Sequence, residues 1–302
     1  MSASSEAPGR TEASRGHLAM LAFAILIAGS YSLGGRVAAE IDPATFNAVR
    51  FCLAAGAIGT LVMVRGGIAR TALVAPWRYL LLGGLYGAYF VAMFEGLKTA
   101  TPVSSAAVFT LTPVMAAGFG YILLRQRLTL WMSFALAIGA AGALWVIFRA
   151  DLAALLAFEI GPGEAIFFWG CVAHAAYAPA VRWLNRGEPV LIFTFLTLLA
   201  TCAVLILWTQ IDARGMSWTG QRPLVWITLL YTAFAASSMT VFLVQFAAMR
   251  LPASNVMAYT YLTPSVVILW ELALGAPVPP PLILAGVFLS VVALVMLLRP
   301  AS

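Results

Sequence analysis

Residues 109–115 read Phe-Thr-Leu-Thr-Pro-Val-Met, and residues 260–266 read Thr-Tyr-Leu-Thr-Pro-Ser-Val. The shared cores, Thr112-Pro113 and Thr263-Pro264, stand 151 positions apart in a chain of 302 residues. That interval is half the chain, so the element marks an internal repeat. Each copy sits inside a long apolar run. Proline in such a run removes one backbone donor and bends or breaks a helix. The two prolines therefore fall at matching places in two matching halves.

Working outward, ten apolar runs are separated by charges, glycines and prolines. They cover residues 18–35, 44–64, 77–97, 102–124, 129–148, 162–183, 189–209, 223–249, 253–272 and 281–298. A membrane-crossing helix needs about 20 apolar residues, and most of these runs have that length. The runs are continuous rather than alternating, which excludes a β-barrel. Composition agrees: 63% of residues are hydrophobic, 9% are charged and the mean hydropathy is +0.97. Soluble domains carry roughly 25% charged residues, so a water-soluble domain is excluded. The expected fold is an all-α polytopic membrane protein.

Five runs per half is an odd number, so the second half enters the membrane inverted relative to the first. The expectation is ten transmembrane helices arranged as two inverted five-helix repeats, over 18–150 and 151–298. Paired inverted repeats are an architecture of secondary transporters. Residues 1–17 are read as a disordered cytoplasmic tail rather than a cleavable leader, and 299–302 as a short cytoplasmic tail. Lys and Arg collect on the cytoplasmic side of membrane proteins. With the N-terminus inside, eleven cations and three acids fall inside, against six cations and eight acids outside. Both termini are thus expected in the cytoplasm. Trp77, Trp131, Trp145, Trp183, Trp208, Trp226 and Trp270 fall near run ends, as interfacial rings do. Trp169 lies well inside the sixth run.

The order of short motifs resembles the drug/metabolite transporter superfamily, EamA type. The first half carries Ala28-Gly29-Ser30, Arg36, Pro43, Arg50-Phe51 and Ala54-Ala55. It continues with Gly96-Leu97-Lys98, Ser104-Ser105-Ala106-Ala107, Leu111-Thr112-Pro113 and Arg125-Gln126-Arg127-Leu128-Thr129. The family usually has an acid where Gln126 stands, and the second-half stretch Leu274-Gly275-Ala276-Pro277 lacks it too. The resemblance spans nearly all of 18–298 and is strongest to bacterial aromatic amino-acid exporters. It implies a multi-pass protein of the bacterial inner membrane, with a central cavity between inverted halves. It also implies an amino-acid substrate and outward transport. The expected partners are a small molecule and the lipid bilayer, with no nucleic acid, no obligatory protein partner, no cofactor and no metal.

Polar groups inside a membrane usually face a cavity or a partner helix. His174 is the one acid, base or imidazole near the middle of a run. Tyr177 shares its helix face, three residues on. Tyr86 and Tyr89 share a face of the third run, with Met93. Tyr31, Trp169, Ser238, Gln245, Asn255 and Tyr259 complete the expected substrate site, drawn from runs 1, 3, 4, 6, 8 and 9. Such a pocket is aromatic with scattered neutral polar groups, and suits a ring-bearing solute of no large net charge. A phosphate ester would want a Lys or Arg clamp, and none is expected at mid-membrane. Pro113 and Pro264 are candidate hinges, with Pro179 a further one. Arg50, Glu95, Lys98 and Glu271 are candidate outer-gate charges, beside Arg36. The competing reading is interfacial charges reaching to headgroups.

Cys52, Cys171 and Cys202 all fall in apolar runs without metal-like spacing and are read as small buried apolar residues. No HExxH, paired intramembrane Asp or phosphate-binding Gly loop occurs, so an enzyme is not expected. Efflux of other amphipathic metabolites or cationic drugs is the alternative, followed by a passive channel. Proton antiport through His174, whose imidazole titrates near neutrality, and uncoupled diffusion both stay open.

Overall fold

The structure is a computed structural model, describing residues 10–126, 129–157, 159–212, 216–248, 250–251, 256 and 258–298. Every regular element among the described residues is helical. In chain order they are α1 (Arg10–Val37), α2 (Pro43–Val64), α3 (Trp77–Gly96), α4 (Pro102–Phe109), α5 (Thr112–Leu124), α6 (Leu130–Ile147), α7 (Leu152–Ala157), α8 (Pro162–Leu184), α9 (Val190–Asp212), α10 (Pro223–Leu230), α11 (Thr240–Ala248), α12 (Thr263–Ala273) and α13 (Pro281–Leu298). A π-helical segment, Tyr231–Met239, joins α10 to α11, and a 3₁₀ turn, Tyr259–Leu262, leads into α12.

Seven stretches among the described residues are long and apolar enough to cross a membrane. They are Glu12–Glu40, Pro43–Val64, Pro102–Leu124, Leu130–Ile147, Val190–Ile211, Pro223–Val244 and Pro281–Leu298. Helices α3, α8 and α12 occupy the other three expected runs but fall below that measure. The tyrosines and glycines of α3 and the polar residues of α8 lower their apolar average. The described part of α12 is simply short. Helix α1 starts at Arg10, so residues 10–17, expected as tail, are helical.

Local chemistry fixes where several helices begin. Asp42 accepts a hydrogen bond from the Thr45 amide at 2.7 Å, and Pro43 opens α2. Thr101 and Pro102 repeat the arrangement for α4, and Thr129 caps α6. Such caps satisfy the free amides of the first turn, where proline is also tolerated.

The same rule revises the reading of the repeated prolines. Pro113 and Pro264 do not interrupt a helix; each lies in the first turn of a new one, α5 and α12. The interruption comes just before, at Thr110–Leu111 and in the turn Tyr259–Leu262. Leu111 has φ −77° and ψ −16°, and Leu262 has φ −79° and ψ −15°, so the two copies share one backbone shape. Pro179 is buried within α8.

Helix α3 lies along α8 and α9, α2 along α9, α5 against α8, and α1 against α11 and α12. Helices α6 and α13 cross closely, because a Cβ at Gly142 would sit 2.5 Å from the Gly286 carbonyl oxygen. Gly83 likewise meets the α9 backbone at Thr201, so it serves packing rather than a pocket. Cys52 of α2 and Cys202 of α9 are joined as a disulfide, with Cα atoms 5.7 Å apart, and Cys171 is buried and free. The reading of all three as small buried apolar residues is corrected for Cys52, which is exposed on α2 and joined to Cys202. Sequence spacing says nothing about partners on different helices.

Candidate functional site

The helical repeat of α3 puts Tyr86, Tyr89 and Phe90 on one stripe facing α8, which presents Phe167, His174 and Tyr177. These side chains form a cluster of rings. The Tyr89 and His174 ring centres are 4.4 Å apart, and Tyr86 stacks on Tyr177 at 4.9 Å. His174 lies 6.1 Å from Tyr177 with nearly parallel planes, and 5.7 Å from Phe109 of α4. Tyr31 of α1 closes the cluster, its hydroxyl 3.2 Å from that of Tyr89 and its ring 6.0 Å from Phe167. Tyr31 and Tyr89 are fully buried, whereas Tyr86, His174 and Tyr177 are half-buried. His174 Nδ1 has no hydrogen-bond partner among the described residues.

The structure thus brings together Tyr31, Tyr86, Tyr89, His174 and Tyr177. It adds Phe109 and Phe167, which carry no polar signal, although Phe109 opens the repeated motif. Trp169 is a correction. It is 70% exposed on the outer face of α8, touching Phe168, because its position on the helix turns it away from His174. Ser238 is half-buried in the π segment and donates to the Ala233 carbonyl at 3.1 Å. Gln245 lies on α11 with its side chain outside the described set, and Asn255 lies outside the described residues.

Arg50 is a second correction. Expected at an outer mouth, it is completely buried within the bundle. Its guanidinium carbon lies 4.1 Å from the Phe90 ring centre and 5.2 Å from that of Phe51. Nε and Nη2 both donate to Ser237 Oγ, at 3.1 and 3.0 Å, and Nη1 donates to Asn47 Oδ1 at 3.4 Å. Among the described residues no carboxylate pairs with it. A fully buried guanidinium is therefore present inside the bundle, seven residues into α2, where the sequence places an outer-mouth charge. Phe90 joins this guanidinium to the ring cluster, 4.9 Å from Tyr86 and 4.6 Å from Tyr89.

The other expected gate charges lie at one end of the bundle. Glu271 accepts from Arg36 at 2.9 Å, tying α12 to α1. Lys98 and Glu95 pair at 2.7 Å within a single turn, so that pair closes nothing. Arg222 and Glu40 form a further tie there, with Nε to Oε2 at 2.7 Å. At the end where α1 begins, Glu12 accepts from Arg250 at 2.8 Å. Tyr259 belongs to this end, its hydroxyl 2.9 Å from His17 Nδ1, and not to the ring cluster. Arg78, also buried, donates to Glu188 at 2.7 Å and to the Leu184 carbonyl at 2.6 Å. Burial opposes the charge of Glu188. The Arg78 guanidinium and the Arg186 amide outweigh it and pull the pKa down to about 2.

Comparison with known proteins matches the EamA-like transporter family in two stretches, residues 14–148 and 161–299. An uncharacterized transporter of Bacillus subtilis (strain 168), YyaM, is 24% identical over 266 residues, covering 87% of each chain. One solved crystal structure aligns with a TM-score of 0.67 at 20% identity, covering 95% of this chain and 96% of the other.

Proposed function

We propose, from the premise that the chain belongs to the EamA-like transporter family, that this membrane transporter of small solutes carries aromatic and other hydrophobic amino acids. The observation that carries the reading is the ring cluster of Tyr31, Tyr86, Tyr89, His174 and Tyr177, drawn from α1, α3 and α8. Aromatic rings in contact at 4.4–6.1 Å make a ring-rich patch on which a further ring can stack or meet edge to face. Tyr86, His174 and Tyr177 are only half-buried, and the buried His174 Nδ1 lacks a partner that an amphipathic solute could supply. The charge beside the cluster is a guanidinium, which disfavours a cationic solute. Glu164, the buried acid of α8, bonds to Ser104 and lies about 15 Å along the helix from His174 at the usual rise.

The carrier works by alternating access between two inverted halves of five helices, in a bacterial inner membrane with both termini cytoplasmic. Three findings support two related halves. The family matches twice, the Leu111 and Leu262 breaks share one shape, and contacts recur five spans on. Thus α1 against α12 has its counterpart in α8 against α5. The ties Arg36–Glu271 and Glu12–Arg250 sit at opposite ends of α1 and join it to the second half, so one set opens while the other holds. Transport runs outward in the cell.

The test is uptake of labelled phenylalanine into proteoliposomes, with and without a pH gradient, beside threonine, glutamate and a quaternary-ammonium dye. Saturable phenylalanine uptake without a gradient is expected. Dye uptake with no phenylalanine signal would remove the amino-acid reading.

A further inference from the structure

We propose that Arg50 is the anchor for a carboxylate on the transported solute, and that Ser237 holds the anchor's place until the solute arrives. This rests on the ring cluster being the substrate site. It goes further by fixing the class of solute as a carboxylate attached to an apolar or aromatic body.

The guanidinium edge formed by Nε and Nη2 is the one that meets a carboxylate with two parallel hydrogen bonds. Here both donors converge on one atom, Ser237 Oγ, at 3.1 and 3.0 Å. A single neutral hydroxyl occupies a position shaped for two anionic oxygens. The third contact, to Asn47, is long at 3.4 Å. Of the five N–H groups that arginine carries, two have no acceptor among the described residues. A buried cation without a counter-ion is costly, and proteins normally pair or hydrate it. Leaving one so incompletely paired beside a cluster of rings fits a site completed by its ligand.

The ring cluster and the buried anchor are direct neighbours. Among the described residues, Phe90 is the one ring that touches Tyr86, Tyr89 and the guanidinium. Ser237 sits in the π-helical segment Tyr231–Met239. A π segment shifts the register of a helix by one residue, and such segments concentrate at functional sites. The shift places Ser237 against α2. It also makes the bond one that joins the two halves of the chain, so a solute displacing Ser237 Oγ loosens that contact as it binds. Substrate recognition and release of an inter-half bond become one event.

The experiment measures equilibrium binding of labelled L-phenylalanine, 3-phenylpropionate, phenethylamine and hexanoate to the purified full chain and to Arg50→Gln, Arg50→Lys and Ser237→Ala. Both phenyl carboxylates should bind, with phenethylamine at least 10-fold weaker. Arg50→Gln should raise the Kd of both by roughly 30-fold, in line with loss of a charge-assisted bond, while Arg50→Lys recovers part of it. Ser237→Ala should tighten carboxylate binding about 3-fold, because the occupant of the fork is gone. Equal binding of phenethylamine and phenylalanine would overturn the anchor while leaving the aromatic reading intact. Hexanoate binding that depends on Arg50, with no phenylalanine binding, would keep the anchor and remove the aromatic reading. Should Arg50→Gln not fold, Ser237→Ala still decides: equal weakening of acid and amine would mark the bond as structural only and overturn the proposal.

Discussion

Arg50 and Arg78 are the two fully buried arginines among the described residues, and their surroundings differ in kind. Arg78 stands at the start of α3 with the Glu188 carboxylate and the carbonyls of Leu184, Val74 and Ala75 around it. Its three nitrogens make four hydrogen bonds, one of them to a carboxylate. Arg50 is wholly buried within the bundle with one hydroxyl and one distant amide oxygen. Burial alone therefore does not distinguish the two cations; the charge of their partners does, a carboxylate for Arg78 and none for Arg50 among the described residues. Arg78 ties α3 to the loop before α9. Arg50 is left short of an anion, beside the rings that would hold the rest of a solute.

The contrast is broken most forcefully by Arg78→Met. It leaves Glu188 without its partner and should cost about 3–5 kcal/mol, read as a large drop in melting temperature in detergent and loss of transport for every solute. Arg50→Gln should do the reverse. Melting should change little, since no carboxylate is orphaned, while phenylalanine transport falls by an order of magnitude or more. If both variants melt alike, the distinction between the two arginines fails. Tyr89→Leu removes a ring packed on His174 and should raise the KM for phenylalanine roughly 3- to 10-fold, an aromatic pair contributing about 0.5–1.5 kcal/mol. An unchanged KM would move the site elsewhere.

The pH dependence of stability isolates the Arg78 side. The folded pKa of Glu188 is about 2, below the unfolded value of about 4.3. Its contribution is therefore present above about pH 4.3 and is lost as pH falls from there through 2. Melting curves across pH 2–5 should be flatter for Glu188→Gln than for the parent chain; parallel curves would contradict the tie. The smallest effect belongs to Trp169→Leu, which should leave the KM within about twofold, as expected for a side chain on the outer face. A larger change would return Trp169 to the site.

Much of the helical architecture could be read from residue patterns alone. Long apolar runs have few alternatives to helices in a bilayer, because every backbone polar group must be satisfied internally. The Leu-Thr-Pro repeat marks two equivalent places, but it does not say which way the proline acts: a first-turn proline starts a helix as readily as an interior one breaks it. Within the site, helical spacing placed Tyr86 with Tyr89 and His174 with Tyr177, since residues on one face need only a period. It was blind wherever two distant segments meet. Tyr259 shares a helix face with no distinguishing mark, and only packing shows that it meets His17. Arg50 sits seven residues inside α2, near enough to a helix end to pass for an interfacial charge. Its burial arises from Phe51, Phe90 and Ser237, contributed by three separate segments. Phe109 and Phe167 carry no polar group to draw notice.

The central claim is tested most directly by an experimental structure of the protein with phenylalanine bound. The account expects the phenyl ring against Tyr86, Tyr89, His174 and Tyr177. It expects the carboxylate on the Nε–Nη2 edge of Arg50, in the position Ser237 Oγ now holds. Phenylalanine bound elsewhere, with Arg50 still bonded to Ser237 and the ring cluster undisturbed, would contradict it.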